Sequence, residues 1–549
     1  MQRRQKKQAE PVATKASVLP MGNNLKQRCR NLLALPLSAL FVLLAACAPV
    51  GPDYVRPDIA VNDQWSQNVR DEFQFEPQDS VAWWQVLDDP VLNQLVELTQ
   101  QQNNNIKVAG LRVLEARAAL GIAVGNQYPQ SQVVSGNATQ ISASESNANT
   151  AAGDLNYTQY NLGVGASWEI DFWGRFRRGI ESADANLLAT LASYDDTLVL
   201  LTAQVVDTYA VIRTAEEQLR IGRENLALQQ RSYDIVEVLY RYGQSNELDV
   251  QQAETLLLST KATIPDFEVT LRRGHHALST LLGMPPADMS ALLGAGGIPV
   301  VPEKIVVGVP ADLIRQRPDV RRAEMFAIAQ NAQVGVATAN LYPSFSISGS
   351  LGLAAAGGTD TTRTGDSGIG ELFRSESLTY SIGPSFVWPF LNYGRIKNNV
   401  RVQDARLQQA LIQYRETVIQ AAREVEDAMV SYVGSQQQDE ILTASVISAK
   451  RSADLSMLRY KEGFADYQRV LDSQQRLFGQ QQRFVANKGA AVRSIAQVYR
   501  ALGGGWQNHS GGFVDEATRI EMEQRIDWGE MLETDRASII EDNVERNRE

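Results

Sequence analysis

Four segments of the chain alternate between apolar and small polar residues, a period-two pattern that predicts β-strands. The segment from Tyr160 to Trp168 alternates apolar side chains with Asn, Gly and Ser. Phe345 to Leu353 and Leu378 to Phe386 do the same, and Gln132 to Ile141 does so more weakly. Each segment has about the 9–11 residues that a tilted strand needs to cross a bilayer.

The same alternation is compatible with a small soluble sandwich that has one buried and one wet face. Two features favour a membrane barrel instead. The polar face consists of Ser, Gly, Thr and Asn with almost no charge, as in a barrel lumen. The strands also come as two hairpins far apart in sequence, each followed by a very long helical pattern, with polar loops at Ser142 to Asn156 and Ala354 to Ser377.

The helical tracts are long. From Gly179 to Tyr242 the only glycine is Gly222, which predicts roughly 95 Å of helix. Apolar residues in both tracts follow the 3–4 spacing of coiled-coil seams. Gly243 and Gly463 interrupt the tracts at equivalent places, and we interpret both as tips of helical hairpins.

The two halves of the chain are repeats of one another. Gly174-Arg175 corresponds to Gly394-Arg395, Gly243 to Gly463, and Leu282-Gly283 to Leu502-Gly503, all with an offset of 220 residues. Tyr128-Pro129 corresponds to Tyr342-Pro343 with an offset of 214. The difference of six residues falls in the strand and loop region, where insertions are tolerated.

Four strands cannot close a membrane barrel, since single-chain barrels begin at about eight strands. An open sheet edge cannot lie in lipid, because its backbone groups would have no hydrogen-bond partners. No uninterrupted apolar stretch of spanning length follows Cys47. Several chains must therefore share one barrel: a dimer gives eight strands, and a trimer gives twelve with a wider bore.

The N-terminus has the order of a secretory signal. Basic residues (Lys26, Arg28, Arg30) precede an apolar run from Leu32, which ends in Leu44-Ala45-Ala46-Cys47. This ending resembles a bacterial lipobox, so residues 1–46 are predicted to be a signal peptide and Cys47 a lipidated first mature residue. Met21 is an alternative start. Since the only other cysteine is Cys29, the mature chain would have no free thiol.

Composition narrows the function further. The formal net charge of −11 argues against a nucleic-acid partner. Two adjacent histidines, His275 and His276, diverge on a helix and do not predict a metal site. No arrangement of nucleophile and base predicts an enzyme. Residues 507–549 are acidic, and their sparse apolar residues predict a disordered or loosely helical tail.

At this point the chain resembles the TolC-like outer-membrane efflux factors, in particular the lipidated branch of multidrug efflux systems. The resemblance covers roughly Cys47 to Trp506. The residues that carry it are Leu44 to Cys47, Gly51 to Pro57, Trp83-Trp84, Asp88, Pro90, Leu92, Arg317-Pro318-Asp319, Arg322-Ala323-Glu324, Tyr342 to Phe345, Arg459-Tyr460, Gly463 and Leu502 to Trp506.

The resemblance implies an α+β membrane protein. A trimeric twelve-stranded β-barrel, with four strands per chain, continues into a long periplasmic coiled-coil barrel with a small mixed equatorial domain. The implied divisions are a lipidated linker (47–61), an equatorial helical segment (62–102), a first repeat (103–293, hairpin 130–168), a linker (294–318), a second repeat (319–506, hairpin 343–388) and the acidic tail (507–549).

The resemblance also implies a function. The chain would be a homotrimer in the outer membrane, anchored by diacylglycerol and an N-acyl chain on Cys47, with no other cofactor. A periplasmic adaptor and a proton-driven inner-membrane pump would be its partners, and small toxic compounds or antibiotics its cargo. Alternatives are type I protein secretion, heavy-metal efflux and, more distantly, a trimeric adhesin or an envelope hydrolase.

The resemblance places the functional residues at the hairpin tips. Asp466 would face the pore and form the periplasmic gate with Arg469 and Tyr460. The adaptor would bind the two tips through Gly243, Leu248, Asp249, Val250, Gly463, Val470 and Leu471.

Overall fold

The computed structural model describes residues 48–59, 73–74, 80–144, 146, 155–302, 304–306, 314–358, 368–507 and 511–546. The predicted signal peptide and Cys47 lie outside these residues, as do parts of the predicted equatorial segment, the linker, the two loops that join the strands and the acidic tail.

The first half of the chain contains two short helices, a hairpin and a pair of long helices. They are α1 (Pro90–Gln102), α2 (Asn104–Gly125), β1 (Ser131–Ser142), β2 (Asn156–Ile170), α3 (Arg175–Arg241) and α4 (Glu247–Leu281). The second half continues with α5 (Pro318–Ala339), β3 (Ser344–Gly358), β4 (Leu378–Val387), α6 (Arg395–Lys461) and α7 (Tyr467–Ala501). Two further helices follow, α8 (Glu516–Glu523) and α9 (Arg536–Arg546).

Smaller elements complete the chain. The 3-10 turns are Ser80–Leu87, Ile369–Glu371, Ser375–Ser377 and Gly529–Glu533, and Ser290–Leu293 forms a single helical turn. Phe73–Gln74 pairs in parallel with Ile305–Val306. Between the linker and the end of α7, Trp83 and Trp84 are buried and Trp83 stacks on Tyr499.

Equal helix lengths in the two halves reproduce the repeat. Helices α3 and α6 have 67 residues each, and α4 and α7 have 35 each, with both pairs offset by 220 residues. Helices α2 and α5 have 22 residues each and are offset by 214. At 1.5 Å per residue, α3 and α6 are each roughly 100 Å long.

The core follows helix α3, which packs on α2, α4, α5 and α7. By length and composition, α3 is the one described helix that qualifies as a candidate membrane span. However, 67% of its most apolar window is buried inside the chain. Burial in the helical bundle therefore accounts for its apolar character.

The four strands form one antiparallel sheet in the order β1-β2-β3-β4. The strands begin and end close to the predicted alternating segments. Rows across the sheet are sorted by polarity: Val134, Val164, Leu351 and Tyr380 lie in one row, and Ser135, Gly163, Gly352 and Thr379 in the adjacent one. In the single chain, β1 and β4 each have one free edge.

The prediction of a disordered tail is wrong. Phe513, Met522, Leu532 and Ile539 of the tail belong to the main hydrophobic core. Their spacing follows no helical or strand period, because α8, a 3-10 turn and α9 each contribute one or two of them. This irregular spacing made the apolar content of the tail look too sparse to fold.

Charged groups on α2 and α3 hold the tail in place. Arg117 of α2 donates to Thr534 and, at 3.1 Å, to Asp542. Arg546 of the tail donates to Asp184 of α3 at 2.5 Å. The tail therefore lies along the outside of α2 and α3 and is part of the folded chain.

Gly110 in the middle of α2 is a site where the tail needs a missing side chain. A Cβ atom built at Gly110 would lie 1.9 Å from the carbonyl oxygen of Phe513. Alanine favours a helix over glycine by about 1 kcal/mol, so in an undocked helix Gly110→Ala should stabilise. In this protein we expect the opposite: Gly110→Ala should expel the tail.

Trypsin cleavage at Arg519 and Arg525 measures that release. Gly125→Ala in the same helix is the matched control, since its Cβ would meet nothing within 4 Å. The expected result is tail cleavage at least about tenfold faster in Gly110→Ala, as expected when a steric clash weakens docking by 1–3 kcal/mol. Equal cleavage of both variants would contradict the packing described here.

Candidate functional site

Both helical hairpins end in the same kind of tip. Gly243 has a φ of +71° and Gly463 a φ of +77°, a left-handed conformation that glycine adopts without steric cost. At the first tip, Gly243 N–H donates to Tyr240 and Gln244 N–H to Leu239; the second tip repeats both bonds 220 residues later. This is the Schellman motif, which ends a helix by satisfying its last carbonyl groups.

The returning helices begin only three residues after each glycine. Asn246 caps α4 by accepting from the Asp249 N–H at 2.8 Å, and Asp466 caps α7 by accepting from the Arg469 N–H at 3.4 Å. The two caps occupy equivalent positions, so the tips differ in charge but share a backbone design.

The two tips of one chain pack against each other through a small apolar cluster. Its fully buried members are Val236, Val250, Ala253, Tyr467, Val470 and Leu471. This cluster is separate from the main core, which lies farther along the helices. The tips can therefore rearrange without disturbing the rest of the bundle.

Tyr460 joins the two tips by a polar contact. Its hydroxyl is hydrogen-bonded to Ser245, and the Ser245 hydroxyl donates to Asp249 at 2.9 Å. The Tyr460 ring also meets the Tyr467 ring, with centroids 5.1 Å apart. Burial raises the pKa of both phenols above the usual value.

The other two predicted gate residues are exposed. Asp466 and Arg469 have side-chain exposures of 70% and 75%, and their nearest charged atoms are 3.7 Å apart within one chain. The prediction paired Arg469 with an acid on a neighbouring hairpin, whereas the nearest acid in the structure is its own helix cap. Tyr460 is thus the one predicted gate residue that links the two hairpins.

Three of the predicted adaptor-binding residues are in the wrong environment for that role. Val250, Val470 and Leu471 are buried in the cluster between the hairpins, because the 3–4 spacing after each cap turns these positions inward. Asp249 is half-buried, and Leu248 and the two glycines are exposed.

The sequence analysis missed Phe464, which is 80% exposed at the second tip. The repeat offered a signal, because the equivalent residue in the first tip is the polar Gln244.

At the opposite end of the chain, the polar face of the sheet is lined by hydroxyl groups. Ser167 and Ser348 are 3.1 Å apart, and Ser350 and Ser381 are 2.8 Å apart. The only charged residue within the four strands is Glu169, which binds Arg175 at 2.8 Å. This face offers water and polar solutes hydrogen bonds without a fixed charge.

Aromatic residues gather where the sheet meets the helices. Trp173 stacks on Tyr342 with centroids 4.5 Å apart, and Phe172 packs on Phe345. Trp388 is exposed nearby. Such a girdle is typical of barrel strands at a membrane interface. Among the described residues, no group of His, Cys, Asp or Glu is arranged to hold a metal ion.

Comparison with known proteins gives consistent similarities. The family model described as "Outer membrane efflux protein" matches residues 95–284 and 309–504. Nodulation protein T of Rhizobium leguminosarum bv. viciae is 31% identical over 85% of this chain and 92% of its own length. The cation efflux system protein CusC of Escherichia coli O6:H1 is 29% identical over 84% of this chain and 97% of its own length.

Among solved structures, the outer-membrane channel OprN superposes with a TM-score of 0.77 at 31% identity. The match covers 83% of this chain and 99% of that channel. The family model ends at residue 504, so the tail lies beyond the part of the chain that the model matches.

The buried phenols make the contact between the tips sensitive to alkaline pH. Because folding raises the pKa of Tyr467, its contribution to the closed tips is complete below about pH 10 and falls as the pH rises further. Nitroxide labels at Gln244→Cys and Glu462→Cys should therefore move apart above about pH 10.

Tyr467→Phe keeps the ring and removes the ionisable group, so it should shift this separation to higher pH. Tyr240→Phe is the matched control, because Tyr240 is the exposed equivalent of Tyr460 in the first repeat. An alkaline separation that is identical in all three proteins would refute the role of the tip tyrosine.

Proposed function

The chain belongs to the outer membrane efflux protein family, and on that premise we propose that it is the exit duct of a tripartite efflux system. The protein is an outer-membrane efflux channel that extends into the periplasm. Its fold is a trimeric barrel of twelve strands that continues into a helical barrel. The finer proposal adds a periplasmic adaptor and an inner-membrane pump.

The sorted sheet with two free edges is the observation that carries the proposal. Apolar rows face one side and hydroxyl-bearing rows the other, over strands of 10 to 15 residues. In lipid, a free edge costs several kcal/mol per unsatisfied backbone group, so β4 of one copy must pair with β1 of the next. The polar rows then line a continuous, largely uncharged bore.

The tips are the proposed gate. A passive duct must be closed when it is not in use, and the tips are where the hairpins end. Three copies of Asp466 around the axis would form a ring of negative charge. The small Tyr460–Tyr467 cluster holds each pair of hairpins together, so opening requires that this cluster shift.

The proposed adaptor contact uses the exposed tip residues. Leu248 and Phe464 present apolar side chains beside the two tip glycines, and a helical hairpin of a partner can pack against such a surface. Val250, Val470 and Leu471 then act indirectly, by fixing the hairpin that carries the contact. Opening follows when the adaptor binds the separated tips more tightly than the closed ones.

The proposed lipid anchor fits the position of the N-terminal segment. The Val50 N–H donates to the Trp173 carbonyl at 3.0 Å, at the aromatic end of the sheet. Cys47 precedes Val50 by three residues, which span at most about 11 Å. Acyl chains on Cys47 could therefore reach the membrane beside the barrel.

For the cargo, we propose small toxic compounds, delivered by a proton-driven pump. The uncharged polar face of the sheet is suited to solutes of varied chemistry. The printed names of relatives include a toluene efflux pump protein of Pseudomonas putida and a cation efflux protein of E. coli, so metal efflux is the second candidate. Deletion of the gene should lower the inhibitory concentration of drugs and solvents several-fold; loss of copper or silver resistance alone would favour the second candidate.

Substitution of Asp466 separates its charge from its capping role. Asp466→Asn keeps a capping oxygen, as Asn246 does in the first tip, and removes the charge. Asp466→Ala removes both and costs about 1 kcal/mol of capping. If the ring of charge closes the gate, both variants should raise the basal conductance of the trimer in a planar bilayer.

The alanine variant should leak more than the asparagine variant, because it also frays the start of α7. Asn246→Ala is the control for a lost cap without a lost charge. An unchanged leak in Asp466→Asn would contradict the charge-based gate.

A further inference from the structure

The two repeats correspond at the level of single hydrogen bonds. The Asn103 side chain, at the start of α2, donates to the Leu281 carbonyl at 2.8 Å. Arg317, at the start of α5, donates to the Ala501 carbonyl at 2.5 Å. Trp168 donates to the Gln127 carbonyl at 3.1 Å, and Trp388 to the Leu341 carbonyl at 3.2 Å. One operation therefore carries repeat one onto repeat two with its side-chain contacts.

In a trimer of duplicated chains, the same operation carries repeat two onto repeat one of the partner subunit. The contact between α3 and α5 inside one chain is thus the template for the contact between α6 and α2 of the partner subunit. Trp173 stacks on Tyr342 inside the chain. Their equivalents are Tyr393, which is 99% exposed, and the exposed Tyr128, and the operation brings these two aromatic rings together across the subunit boundary.

Inside the chain, this helix contact contains an acid between two cations. Asp195 of α3 is fully buried. Arg321 of α5 approaches it to 3.6 Å, and Arg536 of the tail donates to it at 2.9 Å. Burial of the carboxylate is tolerated because both cations compensate its charge.

At the subunit boundary, the equivalent positions have the wrong charge. Arg321 corresponds to Lys107 and Asp195 to Arg415, so two cations face each other. Arg415 is exposed and has no ion-pair partner among the residues that the structure describes. The repeat alone would therefore leave an electrostatic repulsion at each of the three boundaries.

The tail supplies the missing acid. Asp515 binds Lys107 at 3.2 Å and is fixed there because it caps α8 through Thr518. Phe513, two residues earlier, packs edge-on against Tyr194 and its backbone lies over Gly110. The carboxylate is thus held beside Lys107, on the position that Arg415 of the partner subunit must approach.

We propose that the C-terminal tail is a clasp between subunits, in which Asp515 lies between Lys107 of its own subunit and Arg415 of the partner subunit. This arrangement restores the order of cation, acid and cation found around Asp195. It gives the tail, which lies beyond residue 504 where the family model ends, a role in assembly. The proposal rests on the trimer and is independent of the cargo.

Substitution of Asp515 tests the clasp in the full-length, lipid-modified protein in mild detergent. Asp515→Asn keeps a cap for α8 and leaves two cations at each boundary. It should speed dissociation of the trimer, followed by native gel or light scattering, at least about threefold, as expected for partly exposed ion pairs at three boundaries. Glu516→Gln is the matched control, because Glu516 pairs with Arg519 on its own helix.

Arg415→Asp makes the test specific, since it copies Asp195 into the boundary and pairs directly with Lys107. In that background Asp515→Asn should no longer speed dissociation. A merely structural tail would give the same loss in both backgrounds, and that result would overturn the proposal.

Cross-linking gives a second, independent readout. Asp515→Cys combined with Arg415→Cys should join subunits by disulfides under oxidation, and neither single variant should. A trimer that forms normally but yields no cross-link would also overturn the clasp. Loss of conductance with intact cross-links would instead count against the proposed function alone.

Discussion

Satisfaction of backbone hydrogen bonds at the edges of a four-stranded sheet is the constraint on which the structure depends. Strands β1 and β4 each have one free edge in the single chain. Water can solvate such an edge, but hydrocarbon cannot. The apolar rows place this sheet in a membrane, so the edges of separate chains must pair, and the chain is complete only as an oligomer.

Duplication makes that closure geometrically simple. Because helices α3 and α6 have equal lengths and the same offset as their hairpins, each subunit supplies two similar wall segments. The contact between the repeats inside a chain can then be copied between chains with few new interactions. Where the copied positions have unsuitable charges, as at Lys107 and Arg415, the chain needs an additional group, and the tail is well placed to provide it.

Much of the architecture could be predicted from sequence because its signals are local and periodic. Alternation identified the strands around Tyr160 and Phe345, and the paired glycines Gly243 and Gly463 located the hairpin tips. The tail could not be predicted in this way. Its buried residues, such as Phe513 and Ile539, have no common period, and its partners Asp184 and Asp195 are more than 300 residues away in sequence.

The environments of the tip residues were also beyond sequence reasoning. Asp466 and Val470 are close in sequence, yet one is exposed and the other is fully buried. Which side of α7 faces the other hairpin depends on how the two tips pack, and that packing involves residues from all four long helices. The sequence indicated where the tip lies and could not indicate which of its residues a partner can reach.

Hydrogen exchange of the edge-strand amides in the detergent-solubilised, lipid-modified protein tests the central claim most directly. If chains complete one another's sheet, the amides of β1 and β4 should be protected as strongly as those of β2 and β3. Rapid exchange along the outer edges of β1 and β4, with slow exchange only between the inner strands, would show that each sheet stays open and would contradict this account.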